Sequence, residues 1–270
     1  MLEYEVIQLE LNLATLNLLL FRSPLARCQW FFFVFRSSFS QPMAQGAAEG
    51  GAWLPVESNP DVFNIFSAKM GWPTGSFAWQ DLLSHEDWAV EMIPPPVLAT
   101  IMLYEITPAQ EAFKATQEAA RAAAPAPASP PFWMVQKIPN ACGTIGLVHA
   151  YSNLVASGAV AVAEGTWLAD YVAKAVPVDP VEREAMLARD KTLEAQHAEA
   201  VQGGQAAVVE DTDQHFVCFV ERGGRLWELD GRKGGPIDHG EVAKEAILQA
   251  SVGIMKQYMS RNPESLRFTM

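Results

Sequence analysis

The chain has 270 residues, half of them apolar and 19% charged, with a net charge of −12. That length and apolar content suffice for a hydrophobic core, and the acidic balance argues against nucleic acid as the main partner and favours a basic protein or peptide tail. Cys28, Cys142 and Cys218 show no CxxC spacing, which argues against a disulfide scaffold or a zinc site and fits a reducing cytoplasmic or nuclear setting.

The first 42 residues stand apart. MLEYEVIQLELNLATLNLLLF is hydrophobic, yet Glu3, Glu5 and Glu10 replace the basic leader of a secretory signal. Arg22, Pro24, Arg27 and Arg36 interrupt the apolar stretches before they reach the roughly 20 uncharged residues a membrane-spanning helix needs. Met43 opens MAQGAAEGGAWLPVE, which reads as an ordinary start. The expected organisation is an extension over 1–42, spurious, disordered or a presequence, followed by one domain over 43–270.

Residues 60–92 read as helical segments around GWPTGS, and VLATIMLYEI at 97–106 as a buried strand. PAQEAFKATQEAARAAA is a run of helix formers that dissolves into APAPASPP, a surface loop. FWMVQKI reads as a strand leading to CGTIGLVHAYSNLV, a helix capped by Asn140 whose buried face carries Ile145, Leu147, Val148, Leu154 and Val155. A further helix is expected around 166–176, and Asp179, Pro180 and Glu182 supply the cap, first-turn proline and returning carboxylate of the next. TLEAQHAEAVQGGQAAVVED at 192–211 reads as a polar, mobile connector. HFVCFV and RLWELDGRK are strands joined by the turn-like ERGG, and an amphipathic helix over 242–259 follows. The fold class is α/β (α+β): helices flanking a mainly antiparallel central sheet.

Against that frame, Gln136, Cys142, His215 and Asp230 form an ordered polar set. A thiol attacks carbonyls as the thiolate, and a helix N-terminus lowers its pKa; Cys142 sits at such a start. His215 opens one strand of the pair and Asp230 ends the other, so antiparallel pairing brings carboxylate and imidazole together. His149 lies seven residues along the helix from Cys142, roughly 10 Å at about 1.5 Å per residue, too far to take the thiol proton. His85, His197 and His239 fall in polar or turn-forming segments, where a solvated or locally bonded ring is expected. Cys218, on the His215 strand, reads as packing.

From Trp53 to Phe268 the chain resembles the ubiquitin C-terminal hydrolases, papain-like cysteine deubiquitinases, through WLPVESNP (53–60), NACGTIGLVHA (140–150), DQHFVCFV (213–220), LWELDGRK and PIDHGE (226–241). The resemblance implies Cys142 as nucleophile, His215 as general base and proton donor, Asp230 as the acid that orients it, and Gln136 in the oxyanion hole. It implies ubiquitin as partner, with Glu57, Asp61 and Asp81 near its basic tail. It implies no metal or cofactor, no membrane and no nucleic acid, and a monomer. It places a crossover loop at 192–211, and with it a preference for small or unfolded leaving groups. Family members continue past SLRF with another apolar strand, so this chain, ending at Met270, is expected to lack a central strand. Two other readings stay open: a catalytically impaired ubiquitin binder, and a hydrolase of a ubiquitin-like modifier.

Overall fold

The computed structural model describes residues 52–127, 129–205 and 212–270; the expectations for residues 1–42 and for Cys28 lie outside them. Among the described residues, four strands form one sheet: β1 (Ala99–Glu105), β2 (Gln214–Arg222), β3 (Arg225–Leu229) and β4 (Ile237–Glu241). They lie in the order β1-β2-β3-β4, each antiparallel to its neighbour. The β2–β3 connection is a two-residue hairpin, Gly223–Gly224, with φ of 64° and 76°. Positive φ at both central positions is what a hairpin turn matched to strand twist requires, and glycine meets it without a steric cost.

Strand alternation sorts the side chains into two layers. Ile101, Leu103, Phe216, Cys218, Val220, Trp227 and Leu229 face the main core, whereas Met102, Tyr104, Val217, Phe219 and Leu226 pack with Ile247, Met255 and Tyr258 of α8 (Ile247–Arg261). Crossing the first face is α4 (Cys142–Ala156), in which every residue from Cys142 to Leu154 is buried. The expected single apolar face is therefore too narrow a description: α4 is enclosed all round. Its outer side is covered by Phe63, Phe66 and Met70 of α1 (Pro60–Met70), Leu168 and Tyr171 of α5 (Trp167–Ala175), Leu187 of α6 (Pro180–Ala188) and Leu193 of α7 (Lys191–Gln202). A short α2 (Asp87–Met92) packs Val90 near Leu248 and Val252, and α3 (Pro108–Ala123) runs along the α8 side.

Several helix ends follow the sequence. Asn59 caps α1 by accepting from the Asp61 N–H at 2.9 Å, Pro60 fills the first turn and Gly71 ends the helix at φ 93°. Asp179 accepts from Val181 and Glu182 at the start of α6. Others differ. The N-cap of α4 is Ala141, and Asn140, read as the cap, instead takes the left-handed conformation (φ 62°) that lets the chain turn sharply into the helix. Much of the expected connector at 192–211 is α7, capped by Asp190; residues 206–211 lie outside the described ones. The last helix begins at Ile247 after a 3₁₀ turn over Lys244–Ala246, not at 242.

Residues 132–138 are not a strand. Their backbone groups are met by side chains and by a loop: the Asn153 amide accepts from Phe132 N (2.7 Å) and donates to Phe132 O (2.8 Å), His149 Nε2 accepts from Met134 N (3.0 Å), and Gly231 O accepts from Gln136 N (2.8 Å). Hydrogen bonds satisfied this way leave no reason for a ladder. After α8, the chain returns to the outer edge of β1, where Leu103 and Thr269 exchange N–H···O=C bonds of 3.0 and 3.2 Å and Leu82 N donates to Met270 O at 2.8 Å.

Asn153 tests the account of the 132–138 segment. Asn153→Ala strands a buried N–H and a buried C=O, each costing about 1–3 kcal/mol. Thermal unfolding followed by circular dichroism should show a loss of at least about 2 kcal/mol, against a near-neutral change for exposed Ser260→Ala, whose hydroxyl bonds only its own helix.

Candidate active site

The site forms where three elements end. Cys142 opens α4, whose first N–H groups have no helical partner and carry a partial positive charge. Gly143 follows it because space is lacking: a Cβ there would lie 2.3 Å from Val56 Cγ1 and 3.3 Å from the Phe216 ring. The glycine lets the Cys142 end of the helix press against β2 and the 53–57 segment. His215 stands near the start of β2, in register with Tyr104, with the two rings edge to face at 5.8 Å. Asp230 is the first residue after β3.

His215 Nε2 donates to Asp230 Oδ1 at 2.7 Å, with the two side chains 2% and 0% exposed. Its other ring nitrogen is then left for Cys142, whose thiol is hydrogen-bonded to the His215 side chain. Arg232 N also donates to Asp230 Oδ1, at 2.8 Å, while Oδ2 is buried without a hydrogen bond.

The electrostatics follow from this line. Burial alone would lower the pKa of His215, but the charge and hydrogen bond of Asp230, with those of Cys142, raise it to about 9. Burial would push the Cys142 thiol up; the hydrogen bond and charge of His215 and the backbone N–H groups of Phe216 and Gly143 bring it below its ordinary value. Burial likewise opposes ionisation of Asp230, and the His215 charge and hydrogen bond, aided by the Lys233 charge, hold it well below the usual carboxylate range. At neutral pH His215 is an imidazolium and Asp230 a carboxylate, and the cation favours ionisation of the Cys142 thiol, the form in which a cysteine attacks a carbonyl. The imidazolium is lost only as the pH rises through about 9.

Gln136 lies on the 132–138 segment, against Gly231, the residue after Asp230. Its Nε2 donates one N–H to Ile138 O at 3.2 Å, leaving the second N–H of the amide, and its Oε1 is buried without a hydrogen bond. The other sequence candidates sort differently. Glu57 Oε2 accepts from Gln205 N at 2.5 Å, so its carboxylate meets the segment after α7. Asp61 and Asp81 lie near each other, since burial and then the Asp61 charge raise the Asp81 carboxyl. Asp81 lines a cleft of about 350 Å³ with Phe63, Trp79, Leu98 and Met270, and neither Cys142 nor His215 lines it.

The remaining histidines are accounted for. His149 is fully buried, accepts from Met134 N, and is driven by burial to a pKa of about 4, so it stays neutral. His197, expected in a polar setting, is buried: its ring bonds Thr144 Oγ1 and Leu54 O, each at 2.8 Å, tying α7 to the first turn of α4. His239 Nε2 bonds Glu228 Oε2 at 2.8 Å and His85 pairs with Glu86. Cys218 is wholly buried, and burial pushes its thiol up, consistent with packing.

The thiolate–imidazolium pair makes a prediction about pH. Iodoacetamide should alkylate Cys142 of the wild type at a lower pH than a free thiol, whereas in His215→Ala the midpoint of reactivity should move up, to or above the ~8.5 of a free thiol. An unchanged midpoint would remove His215 from the pair. His149→Ala should change stability and leave that midpoint in place.

Comparison with known proteins agrees in both sequence and fold. The model of the family described as ubiquitin carboxyl-terminal hydrolase, family 1, matches residues 53–260. Ubiquitin carboxyl-terminal hydrolase 3 of Arabidopsis thaliana is 34% identical over 227 residues, 84% of this chain and 96% of that protein. A ubiquitin carboxyl-terminal hydrolase of Drosophila melanogaster is 36% identical over 224 residues, 81% of this chain and 95% of the other. Among solved structures, the catalytic domain of Trichinella spiralis UCH37, bound to ubiquitin vinyl methyl ester, superposes with a TM-score of 0.62 at 20% identity, covering 83% of this chain and 96% of that one.

Proposed function

We propose that this chain, which belongs to the ubiquitin carboxyl-terminal hydrolase family, is a thiol-dependent deubiquitinase that cleaves esters, amides and peptides at the C-terminal glycine of ubiquitin. The observation that carries the reading is the buried line from Cys142 at the start of α4 through His215 to Asp230, in which the carboxylate holds the imidazole as a cation and the cation lowers the thiol's pKa. Cys142 attacks the glycine carbonyl. The oxyanion is stabilised by the spare N–H of Gln136 and the Cys142 backbone N–H, a pair aimed at charge that develops only in the transition state. His215 protonates the leaving amine as the C–N bond breaks, leaving a thioester, then takes a proton from the water that hydrolyses it. Asp230 keeps the ring in the tautomer and orientation both steps need.

Free thiols at Cys142 and Cys218 fit a reducing compartment, cytoplasm or nucleus. The acidic surface fits the arginines of the ubiquitin tail, for which Asp61 and Asp81 are the proposed contacts together with Glu57. Small or unfolded leaving groups are the preferred substrates, because the helix that enters the 192–211 segment is tied down at His197 and Glu57 beside the nucleophile helix.

Hydrolysis of a fluorogenic C-terminal amide of ubiquitin is the test. Cys142→Ala should abolish turnover and retain ubiquitin binding, and Gln136→Ala should lower kcat by about 10²–10³-fold with KM little changed. Asp230→Asn should keep weak but measurable activity. Turnover by Cys142→Ala at the wild-type rate would sink the nucleophile assignment, and faster cleavage of a ubiquitin-like substrate would reassign the modifier. Cleavage of a large folded conjugate as fast as the small amide would end the leaving-group proposal.

A further inference from the structure

The five residues after β3 carry more than Asp230. The Gly231 carbonyl accepts from the Gln136 backbone N–H at 2.8 Å, and the two residues touch so closely that a Cβ on Gly231 would lie 2.7 Å from Gln136 Cβ and 3.1 Å from Gln136 N. Real Cβ atoms essentially never approach another atom to 2.7 Å, so an alanine there must force the Gly231 turn and the Gln136 segment apart. The glycine is needed for contact and not for backbone conformation, since Gly231 is absent from the positive-φ glycines.

The turn itself is fastened from the far side. Lys233 N donates to Asp230 O at 3.1 Å, closing the turn. The Lys233 ammonium is buried among Glu228 Oε1, Gln117 Oε1 (2.8 Å) and Tyr258 OH (3.2 Å). Arg232 pairs with Glu111 at 2.9 Å, and Gly234 N donates to Glu118 at 2.7 Å. Three residues of α3 and one of α8 thus grip a turn whose inner side presents the Asp230 carboxylate to His215 and the Gly231 backbone to Gln136.

We infer that Gly231 is a positioning residue for the oxyanion donor, and that the turn anchored by Lys233 sets the orienting acid and Gln136 from one support. This rests on the cysteine-hydrolase reading above and adds a residue that touches neither substrate nor the reacting atoms. Because Gly231 meets Gln136 while Asp230 meets His215, the two functions of the turn separate by variant.

Gly231→Ala should lower kcat for the fluorogenic ubiquitin amide at least tenfold while KM and the pH midpoint of Cys142 alkylation stay at wild-type values. In the Gln136→Ala background the same change should cost less than about twofold, because the donor it displaces is already gone. Losses that multiply across the two variants would overturn the inference, as would a Gly231→Ala enzyme of full activity. If Gly231→Ala does not fold, Glu228→Gln/Lys233→Met, which removes the buried ion pair as a unit, takes its place. Its loss should then be clearly smaller in the Gln136→Ala background than in the wild type, and equal losses in both would overturn the inference. Failure of the underlying reading has a different signature: turnover that survives Cys142→Ala.

Discussion

An ionised carboxylate with one oxygen bonded to imidazole and the other buried without a partner is the arrangement on which the rest of this structure depends. Removing a lone carboxylate from water costs several kcal/mol even after relaxation, and Asp230 is wholly buried. It remains charged because His215 is held as the cation and because the Lys233 ammonium lies close enough to lower its pKa further. The same carboxylate keeps His215 charged, and that charge draws Cys142 toward the thiolate. Each of the three ionised states exists because of the next, so the geometry that keeps them together is a condition of the chemistry.

That geometry is supplied from two sides. On one, α4 is buried from Cys142 to Leu154 and pressed onto β2 at Gly143, which fixes the thiol relative to the strand bearing His215. Asn153 and His149, farther along the same helix, hold the backbone of the 132–138 segment and so carry Gln136. On the other, the turn after β3 is gripped by α3 and α8. His149 illustrates how the same residue type serves different ends: burial makes it a neutral acceptor, while an adjacent carboxylate makes His215 a cation.

Much of this was legible in the sequence, and the reasons differ by element. The antiparallel pair bearing His215 and Asp230 is readable because HFVCFV and RLWEL are short runs rich in strand formers and glycines stand between them. The α6 start is readable because Asp179, Pro180 and Glu182 are a local signal whose physics lies within four residues. The 132–138 segment was misread because its residues are strand formers; what overrides propensity is a set of side chains far along the chain, beginning with Asn153, 21 residues from Phe132. Asn140 reads as a cap because a cap and a left-handed turn draw on the same residue type. The 192–211 segment reads as a connector because α7 buries only Leu193, Ala200 and Val201 among its apolar residues and uses His197 as a buried anchor. Lys233, as the last letter of LWELDGRK, gave no sign of being buried, since its partners Gln117 and Tyr258 are 116 and 25 residues away.

The attachment of α3 has a consequence for how the molecule breathes. Its buried positions are Gln110 and Gln117, not leucines or valines, and its links to the rest run through Gln110 to Tyr258 O, Arg261 to Gln110, Arg232 to Glu111, Lys233 to Gln117 and Gly234 to Glu118. A helix joined by polar contacts has little apolar area to lose when it lifts, and local opening is cheapest where apolar burial is least. α3 is therefore a natural candidate for the element whose amide protons exchange ahead of those in α4, by an opening that leaves the central core intact. Each such excursion would release the grip on the catalytic turn, so the lifetime of the reactive geometry is tied to a helix that contributes no side chain to it.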